Sequence, residues 1–230
     1  MVRHGESIGN AAAAAAEAGG AEVIDIAERD ADVPLSETGR EQATALGRAL
    51  AEHPPEVAVV SPYLRARQTA ELALTGLHLP VHVDERLRDR ELGVLDLLTA
   101  HGVATRLPAE AERRRRLGKF YYRPPGGESW ADVVLRLRSL LRDVREDHPD
   151  GRVLFVGHEA IVLLVRYLVE GLDEDALMKV AHEHSIANCS ISTWVRDGDG
   201  LRPELFNSVD HLHREGTPPT REEDVDAEPV

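Results

Sequence analysis

Short runs of apolar, β-branched residues alternate along this chain with longer stretches in which apolar positions recur every three or four residues. That rhythm predicts helices laid on a mostly parallel sheet. EVAVVS (56–61) and RVLFVG (152–157) are continuous apolar runs closed by turn residues, the form of strands buried on both faces. SETGREQATALGRALAEH (36–53) opens on Ser36, a residue suited to capping a helix N-terminus, and reads as a helix. In ADVVLRLRSLLRDVRED (131–147), Val133, Val134, Leu137, Leu140, Leu141 and Val144 fall on one stripe, which predicts a second helix packed on a sheet. ISTWVRDGDGLRPELFN (191–207) reads as two strands about a Gly/Asp turn, and alternation in IANCSIST (186–193) predicts strand around Cys189 as well. These antiparallel edges make the sheet mixed. The predicted fold class is α/β, a three-layer α/β/α arrangement with a mostly parallel, mixed central sheet.

The 230 residues fit a single domain, expected over 1–215, with no internal repeat. From 216 the sequence GTPPTREEDVDAEPV combines proline with acid and almost no bulky apolar residue, so a disordered acidic tail is expected. Only Met1 and Val2 precede Arg3, fewer than the about five residues of a typical strand, so either a truncated first strand or a start upstream of Met1 is expected. No apolar run approaches the roughly 20 residues of a membrane span, and the alanine-rich stretch 11–18 lacks a cationic leader, so the reading is cytoplasmic. A formal net charge of −14 disfavours nucleic acid and anionic membranes as partners; a bound phosphate would need a local basic pocket. The single cysteine, Cys189, rules out a disulfide framework and reads as a buried structural thiol.

Three segments share one layout, an apolar strand followed by a cationic or polar residue and then a helix start: MVRHGES, AVVSPYLRARQTA and VLFVGHEAIVLL. In open α/β sheets ligands bind beyond the carboxyl ends of strands, where helix N-termini present unpaired N–H groups to anions. Arg3, His4, Arg65 and His158 are therefore expected to converge at one sheet edge. Two guanidinium forks suit phosphate oxygens, a neutral imidazole can attack phosphorus, and a second can donate to the transferring oxygens.

With RHGES (3–7) and Asn10, PLSETGREQA (34–43), SPYLRARQTA (61–70), PPGGESW (124–130) and VGHEA (156–160), the chain resembles the histidine phosphatase superfamily, the phosphoglycerate mutase-like group, in its phosphatase branch. The likeness runs from residue 1 to about 213. It implies a phosphomonoester hydrolase in which His4 becomes phosphohistidine and Arg3, Arg65 and His158 grip the phosphate, with Asn10 and Gly5 in the phosphate-binding loop. Arg67, two residues past Arg65 on a helix, points elsewhere and is taken as structural. The family pattern L-x-E-x-x-x-G falls on 87–93 and puts Asp89 at the proton donor's place, with Glu91 as the substitute; a donor's pKa should be raised, by repulsion from the phosphate dianion. A lid-like insertion over about 94–125 is implied, with Tyr122 and Arg123 as substrate contacts and Arg116 and Lys119 beside them. Most of RRRR (113–116) reads instead as a solvated face paired with Glu110 and Glu112. His182 and His184 in HEH lack a third ligand, and the implied chemistry needs neither metal nor other cofactor. His211 and His213 are expected to help close the domain. The expected partner is a small phosphorylated substrate, with a homodimer as the default assembly. A phosphoglycerate mutase and a phospho-ligand-binding module without turnover are the alternatives.

Overall fold

The computed structural model describes residues 1–198 and 200–222. Strands β1 (Val2–Arg3), β2 (Val57–Val60), β3 (Val81–Val83), β4 (Val153–Gly157), β5 (Ile191–Asp197) and β6 (Gly200–Ser208) form one sheet in the order β3-β2-β4-β1-β5-β6. β1 to β4 run parallel to one another, while β5 is antiparallel to both β1 and β6, which makes the sheet mixed as predicted. The helices are α1 (Ile8–Ala18), α2 (Glu37–Glu52), α3 (Leu64–Ala73), α4 (Ala100–Arg106), α5 (Pro108–Tyr121), α6 (Trp130–Asp147), α7 (Glu159–Glu170), α8 (Glu174–Glu183) and α9 (Asp210–Arg214).

The two-residue period of the central strands divides the apolar side chains between two cores. Ala58 and Val60 of β2 and Leu154 and Val156 of β4 face the layer built from α2, α3 and α9, against Leu46, Ala66 and Leu212. Val59, Val153 and Phe155 face the opposite layer, where Leu137 and Leu140 of α6 meet Ile161 and Leu164 of α7. The predicted α6 stripe is the buried one; its N-terminus is closed by a capping box in which Ser129 and Asp132 exchange bonds. Ser36 caps α2 by accepting from the Gly39 amide at 3.0 Å.

Although β1 has two residues, it is paired on both edges: Val2 lies opposite Val156 and Ile191, and the His4 amide donates to Gly157 O at 2.8 Å. Two expectations need correction. Residues 186–190 are not strand, because Cys189 takes a left-handed turn (φ 54°) that aims its amide at the carbonyls of Arg3 and His4, 3.1 and 3.2 Å away. Nor does disorder begin at 216: the Asn188 amide donates to Thr220 O at 2.9 Å, and Gln42 Nε2 donates to Pro218 O at 3.0 Å. The remainder of the expected tail, 223–230, lies outside the described residues. Among the described residues no helix is long and apolar enough to cross a membrane.

Candidate active site

β1, β2 and β4 end at the same edge of the sheet, and each is followed by a polar side chain held there by backbone pairing. His4 follows β1, Ser61 follows β2 with its amide on Val156 O (2.9 Å), and His158 follows β4 as the residue before α7. Arg65 enters from the first turn of α3. The four predicted residues therefore meet: Arg3, His4, Arg65 and His158 are all buried, the two imidazoles lie 5.1 Å apart edge to face, and Arg65 Nε donates to His4 Nε2 at 3.2 Å.

His4 Nδ1 lies 2.7 Å from Gly5 O, so Nδ1 carries the proton and Nε2 keeps its lone pair. Burial, followed by the charges of Arg65, His158 and Arg3, lowers the His4 pKa well below the ordinary histidine value, and the ring is neutral at pH 7. Gly5 is required by close approach: a Cβ there would sit 2.5 Å from Gly39 O, and one on Gly39 would sit 1.9 Å from Glu6 O. The loop after β1 thus crosses directly under the start of α2, where Ser36 Oγ donates to Glu6 Oε1 at 2.6 Å and Glu6 N donates to Gln42 Oε1 at 2.9 Å. This is the physical content of the PLSETGREQA motif.

His158 Nε2 lies 2.7 Å from Ser61 Oγ, and Ser61 Oγ accepts from the Tyr63 amide at 3.3 Å. The Ser61 hydroxyl hydrogen therefore goes to Nε2, leaving the proton on Nδ1. Among the described residues buried Arg3 Nε has no hydrogen-bond partner, and buried His158 Nδ1 has none beyond the Asp89 carboxylate that approaches it at 3.2 Å. Buried donors left unpaired cost about 1–3 kcal/mol each, which a bound anion would recover. The rest of the Arg3 fork is engaged: Nη1 with Ile186 O and, at 3.0 Å, Glu159; Nη2 with Glu222.

Of the two candidate carboxylates, Asp89 is the one set against the cluster. Its Oδ2 lies 3.1 Å from Arg65 Nη2 and 3.2 Å from His158 Nδ1, and its Oδ1 accepts from Arg90 N at 2.9 Å. Glu91 is exposed and accepts from the Tyr63 hydroxyl at 3.1 Å. Burial pushes the Asp89 carboxyl up, but His158 and Arg65 outweigh it, so its pKa lies well below the ordinary value. The raised pKa expected of a donor is thus not set by the protein's own charges; only a bound dianion could supply it. Arg136 pins this loop by donating to the carbonyls of Arg86 (2.6 Å), Arg88 (2.9 Å) and Asp89 (3.1 Å), and Glu128 of the PPGGESW motif holds Arg136 at 3.0 Å.

Asn10 sits where expected, with its Oδ1 capping α1 by accepting from Ser7 N (2.9 Å) and its Nδ2 turned to Glu222. Arg67 is exposed. The lid contacts are partly corrected. Tyr122 is fully buried, packed with Leu95 and Val103 and bonded to Glu110 at 2.8 Å, while Arg123 is exposed and paired with Asp132 at the start of α6; neither lines the cleft. Arg116 does not line it either, whereas Lys119, over the Trp130 ring, and Arg114 do. Arg115 pairs with Glu112 at 2.7 Å and Arg113 approaches Glu110 at 4.0 Å, as read from sequence. His182 and His184 are exposed at the end of α8, and His211 is buried while His213 is not.

Sequence reasoning assigned no role to Ser61, Thr69, Asn188 or Glu222. Ser61 and Thr69 were visible inside SPYLRARQTA, and Thr69 Oγ1 accepts from the Gly5 amide at 3.0 Å. Asn188, which donates to His4 O at 3.2 Å, carries no local signal.

An edge of buried imidazoles and guanidinium groups beside one carboxylate, with Arg3 Nε left unpaired, defines a phosphoryl-transfer site. The profile of the histidine phosphatase superfamily (branch 1) matches residues 1–209, and the chain belongs to that family. It is 29% identical over 226 residues to 2,3-bisphosphoglycerate-dependent phosphoglycerate mutase 2 of Gloeobacter violaceus, covering 96% of this chain and 95% of that one. It is 33% identical over 139 residues to glucosyl-3-phosphoglycerate phosphatase of Mycobacterium tuberculosis, covering 57% of this chain and 61% of that one. Among solved structures, a mycobacterial glucosyl-3-phosphoglycerate phosphatase in complex with VO3 superposes with a TM-score of 0.73 at 27% identity, over 90% of this chain and 97% of that one.

Proposed function

We propose that the protein hydrolyses phosphomonoesters through a phosphohistidine on His4. The observation that carries this reading is the neutral His4 ring, its Nε2 lone pair met only by Arg65 Nε, set in a buried cluster where Arg3 Nε lacks a partner and His158 Nδ1 has only the Asp89 carboxylate at 3.2 Å. The phosphate oxygens would take those two donors and the Arg65 fork, and negative charge developing on them in transfer is stabilised there. Nε2 attacks phosphorus as the ester P–O bond breaks, and Asp89 passes a proton to the leaving oxygen. Because Asp89 is ionised on its own, that proton arrives with the substrate monoanion and is shared between phosphate and carboxylate. Water then attacks the phosphohistidine with Asp89 as base, and the P–N bond breaks to restore the Nε2 lone pair.

His4→Ala should abolish turnover of 4-nitrophenyl phosphate and remove the acid-labile phosphoenzyme formed by the wild type. Full turnover by that variant would refute the assignment, and phosphate binding without any phosphoenzyme in the wild type would mark a binding module. The mutase relative, aligned over nearly the whole chain, keeps a second reading in play, transfer to another alcohol. Incubation with 3-phosphoglycerate separates the two: inorganic phosphate supports hydrolysis, an isomer supports the mutase.

A further inference from the structure

The alanine run at 11–16 has no part in phosphate chemistry, yet it forms most of α1, a helix with no fully buried residue. Its Ala13 and Ala14 instead line a cleft of about 870 Å³ that also contains Arg3, His4 and Arg65. The lining also includes Ile26 and Val33 from the segment after α1 and Leu95 and Leu98 from the start of the insertion. A phosphoryl group displaces on the order of 100 Å³, so most of this space lies beyond the reacting atoms. Charged side chains of both signs, among them Glu17, Asp96, Arg114 and Lys119, line it too, so selectivity rests on the apolar stretch rather than on net charge.

Resting on the phosphatase reading, we propose that this cleft selects phosphomonoesters with a bulky, largely apolar body, of the size of a medium alkyl chain or a fused aromatic pair. Small alanine side chains leave the width, and the aliphatic lining rewards transfer of apolar surface out of water. Octyl and ethyl phosphate have leaving groups of one chemical class, so the ratio of their kcat/KM values reads the cleft alone. That ratio should exceed about 10 in the wild type and fall at least about tenfold in Ala13→Phe, which fills the cleft, and in Ile26→Asn, which makes its wall polar. A wild-type ratio near 1 overturns the proposal whatever the variants do. Failure of the underlying reading looks different, with neither ester hydrolysed and no phosphoenzyme formed.

The segment after α9 carries an independent inference. Thr220 is clamped by Asn188 and Gln42, its Oγ1 lying 3.0 Å from each side chain, and the Ser185 hydroxyl donates to Glu222 O. This places the Glu222 carboxylate across Arg3 Nη2 and Asn10 Nδ2, two groups aligned with the phosphate site. We infer that Glu222 is a tethered anion that competes with the substrate phosphate for Arg3. In the full chain, Glu222→Gln should lower KM for 4-nitrophenyl phosphate and Ki for inorganic phosphate by about threefold to thirtyfold, and Thr220→Val, which loosens the clamp, should move both the same way. A Glu222 that merely orients Arg3 would give the opposite sign, and an unchanged or raised Ki overturns the inference.

Discussion

Replacing Asp89 by Asn separates proton donation from positioning. The substitution keeps the side-chain shape and an oxygen for Arg90 N, 2.9 Å from Asp89 Oδ1, but removes the ionisable group 3.2 Å from His158 Nδ1 and 3.1 Å from Arg65 Nη2. General acid catalysis contributes about 10²–10⁴-fold, or roughly 2.7–5.5 kcal/mol of barrier. That help matters only when the departing oxygen is basic. In Asp89→Asn, kcat/KM, which reports transfer to His4 and not the later hydrolysis in which Asp89 is the base, should therefore fall about 10³-fold for an alkyl phosphate but less than about tenfold for 4-nitrophenyl phosphate, whose phenolate leaves unaided. Steady-state kinetics on the two esters, with circular dichroism to confirm folding, makes the comparison. Glu91→Gln is the control: Glu91 touches Tyr63 rather than the imidazoles, so its loss should stay within a few-fold for both. Equal losses with both esters would assign Asp89 to positioning, and a leaving-group dependence in Glu91→Gln instead would move the donor to Glu91.

The pH dependence of kcat/KM should be one-sided. His4 stays neutral well below its ordinary range and Asp89 stays ionised, so the reactive proton is the substrate's own; for an alkyl phosphate kcat/KM should fall about tenfold per pH unit above the second phosphate pKa near 6, and a rise between pH 6 and 8 would contradict this. Stability should fall on acidification. His4, His158 and His211 have folded pKa values below the unfolded value of about 6.5, so their contribution is complete above that pH and is lost as pH drops through the folded values. For His211, pushed down to about 4 chiefly by burial, the share is roughly 3 kcal/mol at most, and urea titrations between pH 7 and 4 should show a shallower slope in His211→Phe. Gly39→Ala should cost both fold and activity, since its Cβ would meet Glu6 O at 1.9 Å; thermal melting and turnover should fall together, and a variant with wild-type stability would refute the close-approach argument.

What was legible in the sequence is what repeats locally. Uninterrupted apolar runs mark β2 and β4, the stripe marks α6, and three strand-then-helix junctions put Arg3, His4, Arg65 and His158 on one edge. The edge strand β3 was not legible, because Val81 and Val83 are exposed and three residues are too few for a pattern to stand out. The burial of Tyr122 is not legible for a related reason. A tyrosine near a lid can face substrate or core with equal ease, and what turns it inward is the pocket formed by Leu95 and Val103, with Glu110 taking its hydroxyl.

The least legible contacts are those made through backbone carbonyls, and they carry the greatest mechanical weight. A strand of two residues cannot hold a nucleophile rigidly by its own length, since most strands span five or six. Here rigidity comes from outside: the His4 amide is fixed to Gly157 O, and its carbonyl accepts from Cys189 N and from Asn188 Nδ2. Those donors come from residues 184 and more positions away in sequence, and they reach the carbonyl only because Cys189 adopts φ 54°. Because the bond is to a carbonyl, any residue at position 4 would receive it, and no feature of RHGES points to its partner. The same turn presents Asn188 to Thr220, so the element that steadies the nucleophile also anchors the segment bearing Glu222. Reaction and its restraint are therefore mechanically joined at 188–189, and a change there should disturb His4 geometry and Glu222 occupancy together.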